Sequence, residues 1–147
     1  MNTDAVTNVD AGAPDVTAHF FVAGRDFDSA GVTKSLGLEP TEIWQQPRPE
    51  LRKRTDLANV CWKYGFKKKP FTSISDAVNE VLEVVWPLRD HVARYVSKNR
   101  VQVGIECTVT IHADRPVYEL SSTVISRLAD LRCEFLLDIF DYSDQDN

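Results

Sequence analysis

Residues 101–112 read Val-Gln-Val-Gly-Ile-Glu-Cys-Thr-Val-Thr-Ile-His, in which apolar residues alternate with polar or small ones without a break. A period of two predicts a β-strand, because successive side chains point to opposite faces of a sheet. Twelve residues at about 3.4 Å each span about 40 Å. The stretch therefore predicts a long strand with one face against the core and one face in water.

The chain uses one plan twice: a strand, then a short helix with a Ser or Asp cap, then another extended segment. The first copy covers residues 19–44 and the second covers residues 101–139. In the first copy, Gly37 follows the last helical turn and Pro40 prevents the helix from resuming. Two strand–helix–strand units predict a sheet that is covered by helices on one face.

The residues between the two copies predict a third strand and a long helix. Apolar side chains alternate over residues 60–66, so Trp62 is predicted to lie in the core. A stripe of apolar residues with helical spacing runs over residues 74–96, after a cap at Ser73. Pro87 interrupts the stripe and predicts a kink or break in the helix.

Three more strands complete the predicted sheet, at Thr41–Gln46, Val117–Leu120 and Phe135–Phe140. The last strand is apolar on both faces and is therefore predicted to be internal. The resulting order, β-α-β-β-α-β-β-α-β, is typical of an elaborated ferredoxin-like α+β sandwich, with a mostly antiparallel sheet and helices packed on one face.

The composition is that of one soluble globular domain. The chain has 147 residues, 43% of them hydrophobic and 27% charged, and its formal net charge is −5. We expect residues 1–15 to form a disordered leader, residues 16–142 a single α+β domain and residues 143–147 an acidic tail. No apolar run approaches the about 20 residues that cross a bilayer, and the acidic N-terminus does not have the pattern of a signal peptide. A cytoplasmic protein without membrane contact is expected.

Residues 27–40 contain the pattern Phe-Asp-x-x-x-Val-Thr-x-x-Leu-Gly-Leu-Glu-Pro, and tryptophans follow at Trp44 and Trp62. An early phenylalanine-rich strand, a long helix that contains a proline and a terminal Leu-Asp-Ile-Phe complete the pattern. Over about residues 18–142 the chain resembles the bacterial domain-of-unknown-function family 4279. The resemblance implies a small cytosolic α+β protein without an established reaction or catalytic residues. It also implies an immunity or accessory role, in which the protein binds another protein.

The main candidate binding surface is the stretch of residues 48–69, which follows Trp44 and which we call the basic segment. This part of the chain holds eight of the 17 Lys and Arg residues but only two acidic residues. A cationic patch attracts an acidic protein, a phosphate group or nucleic acid, and a neighbouring aromatic ring offers a stacking surface. The same charges also fit a solvated loop that offsets an otherwise acidic surface. The candidate partner-binding residues are Trp44, Arg48, Arg52, Lys53, Arg54, Lys67, Lys68 and Lys69.

The chemically reactive side chains do not form a known motif. The three histidines lie on different predicted elements, and no two share the spacing of a metal site. His19 and His112 would meet only if the first and fourth strands were neighbours. The three cysteines lack a Cys-x-x-Cys spacing and are expected to be reduced, buried thiols. We expect no enzymatic activity, no metal site and no cofactor.

Two functions remain. The first is a non-enzymatic protein-binding module, an immunity or accessory protein whose basic segment contacts another protein with an acidic surface. The alternative is a ligand-sensing or single-stranded nucleic-acid-binding ferredoxin-like domain. The polar face of residues 101–112 carries Gln102, Glu106, Thr108 and Thr110 but no aromatic ring, which favours a protein partner over nucleic acid. No feature of the sequence predicts an oligomeric state.

Overall fold

The computed structural model describes residues 12–46, 58–67, 69–71 and 73–144. The elements are β1 (Asp15–Gly24), α1 (Ser29–Leu36), β2 (Glu42–Gln45), β3 (Val60–Gly65), α2 (Ile74–Val85), a 3₁₀ turn (Trp86–Leu88), α3 (Arg89–Lys98), β4 (Val101–Ile111), α4 (Ser122–Asp130) and β5 (Glu134–Asp141).

The strands form one mixed sheet with the order β2-β3-β1-β4-β5. The central strand β1 is antiparallel to both of its neighbours, so Phe20 lies opposite Tyr64 on β3 and Ile105 on β4. Strand β2 is antiparallel to β3, whereas β5 is parallel to β4. The chain is therefore an α+β protein, as predicted, and its sheet is mixed and five-stranded.

The core lies between the helices and one face of the sheet. Alternate residues of β1 and β4 are buried there together with the apolar sides of the helices. Trp62 of β3 is fully buried, and its indole N–H donates a hydrogen bond of 3.0 Å to the hydroxyl of Thr33 on α1. Because the described helices all contribute to this one core, the opposite face of the sheet, which we call the open face, is left without a helix of the described part of the chain.

Three helices begin at Ser or Asp caps, as the sequence predicts, and α1 ends at Gly37. Asp28, Ser73 and Ser121 each accept a hydrogen bond from a backbone N–H in the first turn of the following helix, as capping residues do. Gly37 ends α1 with a left-handed φ of 67°, a conformation that favours glycine. Pro87 lies in the 3₁₀ turn between α2 and α3, so the predicted break in the long helix is confirmed.

Strand β4 is the long strand predicted from residues 101–112. It ends one residue earlier than predicted, at Ile111, and it lies inside the sheet between β1 and β5. Ile105, Cys107 and Val109 are fully buried on the helix side. The alternation of this stretch therefore indicates a strand with one face buried against the helices and the other on the open face.

Two of the predicted strands need correction. Val117–Leu120 is not a strand, because only Val117 forms an isolated bridge, with Ser73 at the start of α2, and no strand lies beside it. The last strand, β5, is not internal but at the edge. Since β1 already occupies the other side of β4, the chain returning from α4 can pair only on the outer side of β4.

The predicted terminal segments lie largely outside the described residues. Gly12 is described, and its carbonyl accepts a hydrogen bond of 2.8 Å from the backbone N–H of Asp114. At the other end the described residues stop at Asp144. Across the described residues, no helix has the length and apolar character that are needed to span a membrane.

Candidate functional site

Two glycines shape the centre of the open face. Gly65 on β3 lies opposite His19, and Gly104 on β4 lies opposite Phe21. A Cβ at Gly65 would be 2.5 Å from His19 Cδ2, and a Cβ at Gly104 would be 2.5 Å from Phe21 Cζ. Each glycine therefore makes room for a ring of the central strand. The Phe21 ring is only 6% exposed although it lies on the open face.

An ion pair crosses the central strand between these two rings. Lys63 lies opposite Phe21 and Glu106 lies opposite His19, and Lys63 Nζ is 3.1 Å from Glu106 Oε2. Both side chains are about a quarter exposed. Burial opposes the charge on Lys63, but the hydrogen bond and the negative charge of Glu106 outweigh it and raise the pKa of Lys63. The pair therefore ties β3 to β4 across β1.

The neighbouring titratable groups favour their neutral forms. Burial, followed by the positive charge of Lys63, lowers the pKa of His19 below its usual value. Burial raises the pKa of the Cys61 thiol. A thiol reacts as a nucleophile in its deprotonated form, so these surroundings do not activate Cys61.

A groove lies over this part of the open face, with a volume of about 510 Å³. Phe21 and Ala23 of β1 line it from the sheet, and Trp44 of β2 and Leu136 of β5 line it from the two edge strands. Its charged lining residues are Glu42, Glu106, Glu134 and Lys63. Counted over the described residues, the lining of the groove has three carboxylates and one amine, and it is apolar at its base.

Only part of the predicted binding surface falls within the described residues. Arg48, Arg52, Lys53, Arg54 and Lys68 lie outside them. Trp44 is 39% exposed, as predicted, and lines the groove. The chain leaves the described part after Gln46 and re-enters it at Ala58, which also lines the groove.

The structure does not bring Lys69 together with Trp44. Lys69 forms a bridge with Val16 at the start of β1. Trp44 lies opposite Cys61 on β3, and Cys61 in turn lies opposite Ala23 near the end of β1. Seven residues of strand separate the two positions, a distance of about 23 Å. Lys69 also forms an ion pair with Glu80, and this contact explains its position without a partner. Lys67 is exposed.

His112 and Asp141 each have a local partner, and the cysteines are not paired with one another. Strands β1 and β4 are neighbours, but their register places His19 opposite Glu106, whereas His112 lies beyond the end of β4, so the two histidines do not meet. His112 Nε2 is instead 2.9 Å from the carboxylate of Asp15. Asp141 accepts hydrogen bonds from Ser143 and forms a 2.8 Å ion pair with Arg115. The three cysteines are free thiols, as predicted, but only Cys107 is fully buried, whereas Cys61 and Cys133 are partly exposed. Burial raises the pKa of Cys107 to about 11 and that of Cys133 to about 12. Among the described residues, no cluster of His, Cys, Asp and Glu has the arrangement of a metal site.

The open-face groove was not predicted as a site, although the sequence contains one signal of it. Glycines inside apolar strands often mark a close approach of another group, and Gly65 and Gly104 do so here. The alternation also places Glu106 on the polar face of its strand, where a cation can face it across the sheet. What local patterns do not contain is the register that brings Lys63 to Glu106.

A family model matches residues 14–142, which is most of the chain. No curated protein and no solved structure matches the chain. By the extent of the family match, together with the α+β fold described above, the chain belongs to the family described as Domain of unknown function (DUF4279).

Proposed function

We propose that this protein is a non-enzymatic protein-binding module, of the immunity or accessory type, that receives its partner on the open face of the sheet. The observation that carries the proposal is the groove, which combines an apolar base with three carboxylates against one amine. The antiparallel order β2-β3-β1-β4 supports a ferredoxin-like interpretation of this part of the fold. In such a sheet, the face without helices is available for binding.

The charge of the groove selects the chemistry of what enters it. Glu106 is already neutralised by Lys63, so Glu42 and Glu134 are the carboxylates that attract a cation. Trp44 adds an aromatic face on which a guanidinium or ammonium group stacks favourably. We expect the partner to place an Arg or Lys side chain in the groove, with the apolar stem of that side chain over Phe21 and Ala23.

The basic segment would contact a second, acidic part of the same partner. The basic segment begins directly after the strand that carries Trp44, so it adjoins the groove in sequence on both sides. A partner seated on the groove would present a cationic side chain to the groove and acidic residues to the basic segment. Such alternating charges fix the orientation of a complex and reject other partners.

Nucleic acid fits this face less well. Three carboxylates within the groove repel phosphate groups, which supply most of the affinity in nucleic-acid binding. The two positions that flank Glu106 on the open face of β4 are Gly104, which is buried, and Thr108, which is partly exposed. Neither offers a ring on which a base could stack.

Capture of the partner from the native host tests the proposal. Wild-type protein is compared with Glu42→Lys, which reverses a charge in the groove, and with Glu119→Lys, an identical change at an exposed carboxylate outside the groove. Glu42→Lys should weaken binding of the captured protein about tenfold, a change of about 1.4 kcal/mol, and Glu119→Lys should leave the affinity unchanged. Equal affinities for the two variants would contradict a partner seated on the groove.

A small cationic ligand is the second candidate occupant. A volume of about 510 Å³ lies within the range of about 300–1,000 Å³ that small-molecule pockets occupy. Thermal unfolding in the presence of arginine, agmatine and spermidine distinguishes a small cationic ligand from a protein partner. A rise in the unfolding temperature that Glu42→Lys abolishes supports a ligand sensor, and no rise with any of the three amines favours the protein partner.

A further inference from the structure

Strand β5 exposes apolar side chains on both of its faces. Leu136 and Phe140 are 48% and 45% exposed on the open face, and Leu137 and Ile139 are 41% and 46% exposed on the helix side. Monomeric proteins rarely leave a contiguous apolar surface of this kind without a use for it. The edge also lacks Lys and Pro, two common means of preventing strand pairing.

The backbone of β5 has free hydrogen-bonding groups that point outward. The backbone N–H of Tyr142 donates to the carbonyl of Ile111 on β4, at 2.9 Å. Because N–H and C=O groups of alternate residues in a strand point to the same side, the even-numbered residues of β5 bond to β4. The odd-numbered residues Phe135, Leu137 and Ile139 therefore turn their N–H and C=O groups to the outer edge of the sheet.

We propose that β5 pairs in antiparallel orientation with β5 of a second copy of this chain, about a two-fold axis at Leu137. Leu137 would lie opposite its own symmetry mate, and Phe135 would lie opposite the second copy's Ile139. These are the outward-pointing residues, so each pair exchanges two backbone hydrogen bonds. The product is a continuous ten-stranded sheet with all helices on one side.

The charges of β5 disfavour the two adjacent registers. With the axis at Leu137, Glu134 lies opposite Phe140 and Asp138 lies opposite Leu136, so no carboxylate faces another. An axis at Leu136 would place Glu134 opposite Asp138, and an axis at Asp138 would place the two Asp138 side chains together. Like charges directly opposite each other destabilise a strand pair.

The surface around β5 adds to the area that pairing would bury. Stable dimers bury about 800 Å² on each partner, more than the edge of one strand supplies. On the helix side, α4 leads into β5 and exposes 54% of Ile125. Because the two-fold axis is perpendicular to the sheet, both copies of α4 lie on the same side of the extended sheet.

Molar mass in solution tests the dimer. Sedimentation equilibrium should give wild-type protein twice the chain mass of 16.6 kDa. Leu137→Lys places two cations together at the axis and should give the monomer mass. Ile43→Lys is the matched control, since Ile43 is 48% exposed on β2 at the opposite edge, and it should remain dimeric. A monomeric wild type, or a dimeric Leu137→Lys variant, would overturn the proposal.

Cross-linking tests the register even if Leu137→Lys fails to fold. At the axis, Leu137→Cys brings two thiols within disulfide distance, because the Cα atoms of a hydrogen-bonded pair are about 5.5 Å apart. Mild oxidation should convert this variant to a covalent dimer, whereas Asp138→Cys, one residue from the axis, should cross-link far more slowly. Equal rates for the two variants would refute the register, and no cross-link in either would refute the pairing.

Discussion

Trp62 and Trp44 lie on neighbouring strands but in opposite surroundings. Trp62 is fully buried, with its ring edge-on to Phe20 at 6.4 Å and its N–H bonded to Thr33. Trp44 is 39% exposed at the groove. One tryptophan therefore belongs to the core and the other to the lining of the groove.

The two tryptophans predict different costs of truncation. Trp62→Ala should lower the free energy of unfolding by about 3–5 kcal/mol, and Trp44→Ala by about 1 kcal/mol or less. Trp62→Phe keeps an aromatic ring and removes the hydrogen bond to Thr33, so an intermediate loss is expected. Urea unfolding followed by circular dichroism gives the three values. Equal losses for the two alanine variants would show that the assignment of core and surface is wrong.

His19 predicts a pH dependence of stability. Its pKa in the folded protein is lowered, mainly by burial, while the unfolded chain keeps the usual value near 6.5. As the pH falls through that value, the unfolded chain takes up a proton more readily than the folded protein does. Stability should therefore fall from pH 7 to pH 5, and His19→Gln should make this fall shallower.

Urea unfolding at a series of pH values measures the effect of His19. The control is His91→Gln, because His91 lies on the exposed side of α3. That variant should follow the wild-type curve. If His19→Gln and wild type ran parallel over the whole pH range, the surroundings of His19 would not disfavour its charged form.

At the scale of the elements, the same substitution should have opposite effects in a helix and in a strand. Gly31 is inside α1, where an added Cβ would have its nearest neighbour at 3.6 Å, the hydroxyl of Tyr95. Gly104 is inside β4, where an added Cβ would meet Phe21 at 2.5 Å and the carbonyl of Glu134 at 2.8 Å. Gly31→Ala should stabilise the protein by about 0.5–1 kcal/mol, and Gly104→Ala should destabilise it by about 1–3 kcal/mol.

Thermal unfolding of the two alanine variants checks this contrast. The unfolding temperature should rise for Gly31→Ala and fall for Gly104→Ala. A rise for both would mean that the Phe21 ring moves aside at little cost, and Gly104 would then have no special role in the open face.

The elements that the sequence predicts well are those whose signals are local. Caps at Asp28, Ser73 and Ser121, the stop at Gly37 and the alternation over 101–111 each depend on residues close together in the chain. The position of β5 depends instead on which side of β4 is already occupied. An apolar run indicates that its side chains are buried, but it does not indicate what buries them. A neighbouring strand of the same chain and a second copy of the chain would give the same pattern in the sequence.

The candidate site was less predictable than the elements, for the same physical reason. Lys63 and Glu106 belong to strands that are not adjacent, and they meet only because β1 lies between them. The basic segment could be recognised in the sequence because its charged residues lie close together in the chain. The groove also combines charged and aromatic side chains, but they come from different strands, so no single stretch of the sequence shows them together.

For the whole molecule, the distribution of charge predicts how association responds to salt. Charge pairs at the rim of an interface mainly raise the association rate, and salt screens them. Reversing Arg52, Lys53 and Arg54 to Glu should slow association with the captured partner and flatten its salt dependence. The control reverses Lys34, Arg94 and Lys98, which are exposed on α1 and α3.

Stopped-flow mixing at several salt concentrations measures both rates. If the reversal in the basic segment had no greater effect than the control reversal, the segment would be solvated surface. Binding would then depend on the open face alone.

The order of the strands in the sheet also governs how the nascent chain folds. The central strand β1 leaves the ribosome before the other strands of the sheet, yet Phe20 acquires its neighbour Ile105 only after β2, β3, α2 and α3 have been synthesised. Contacts between residues so distant in sequence form slowly, because the intervening loop must first be closed. Until then the Phe20-Phe21-Val22 strand has no partner on that side, and an exposed apolar strand is a substrate for aggregation and for chaperones. The strand that organises the finished sheet is thus the one that needs the longest protection during synthesis.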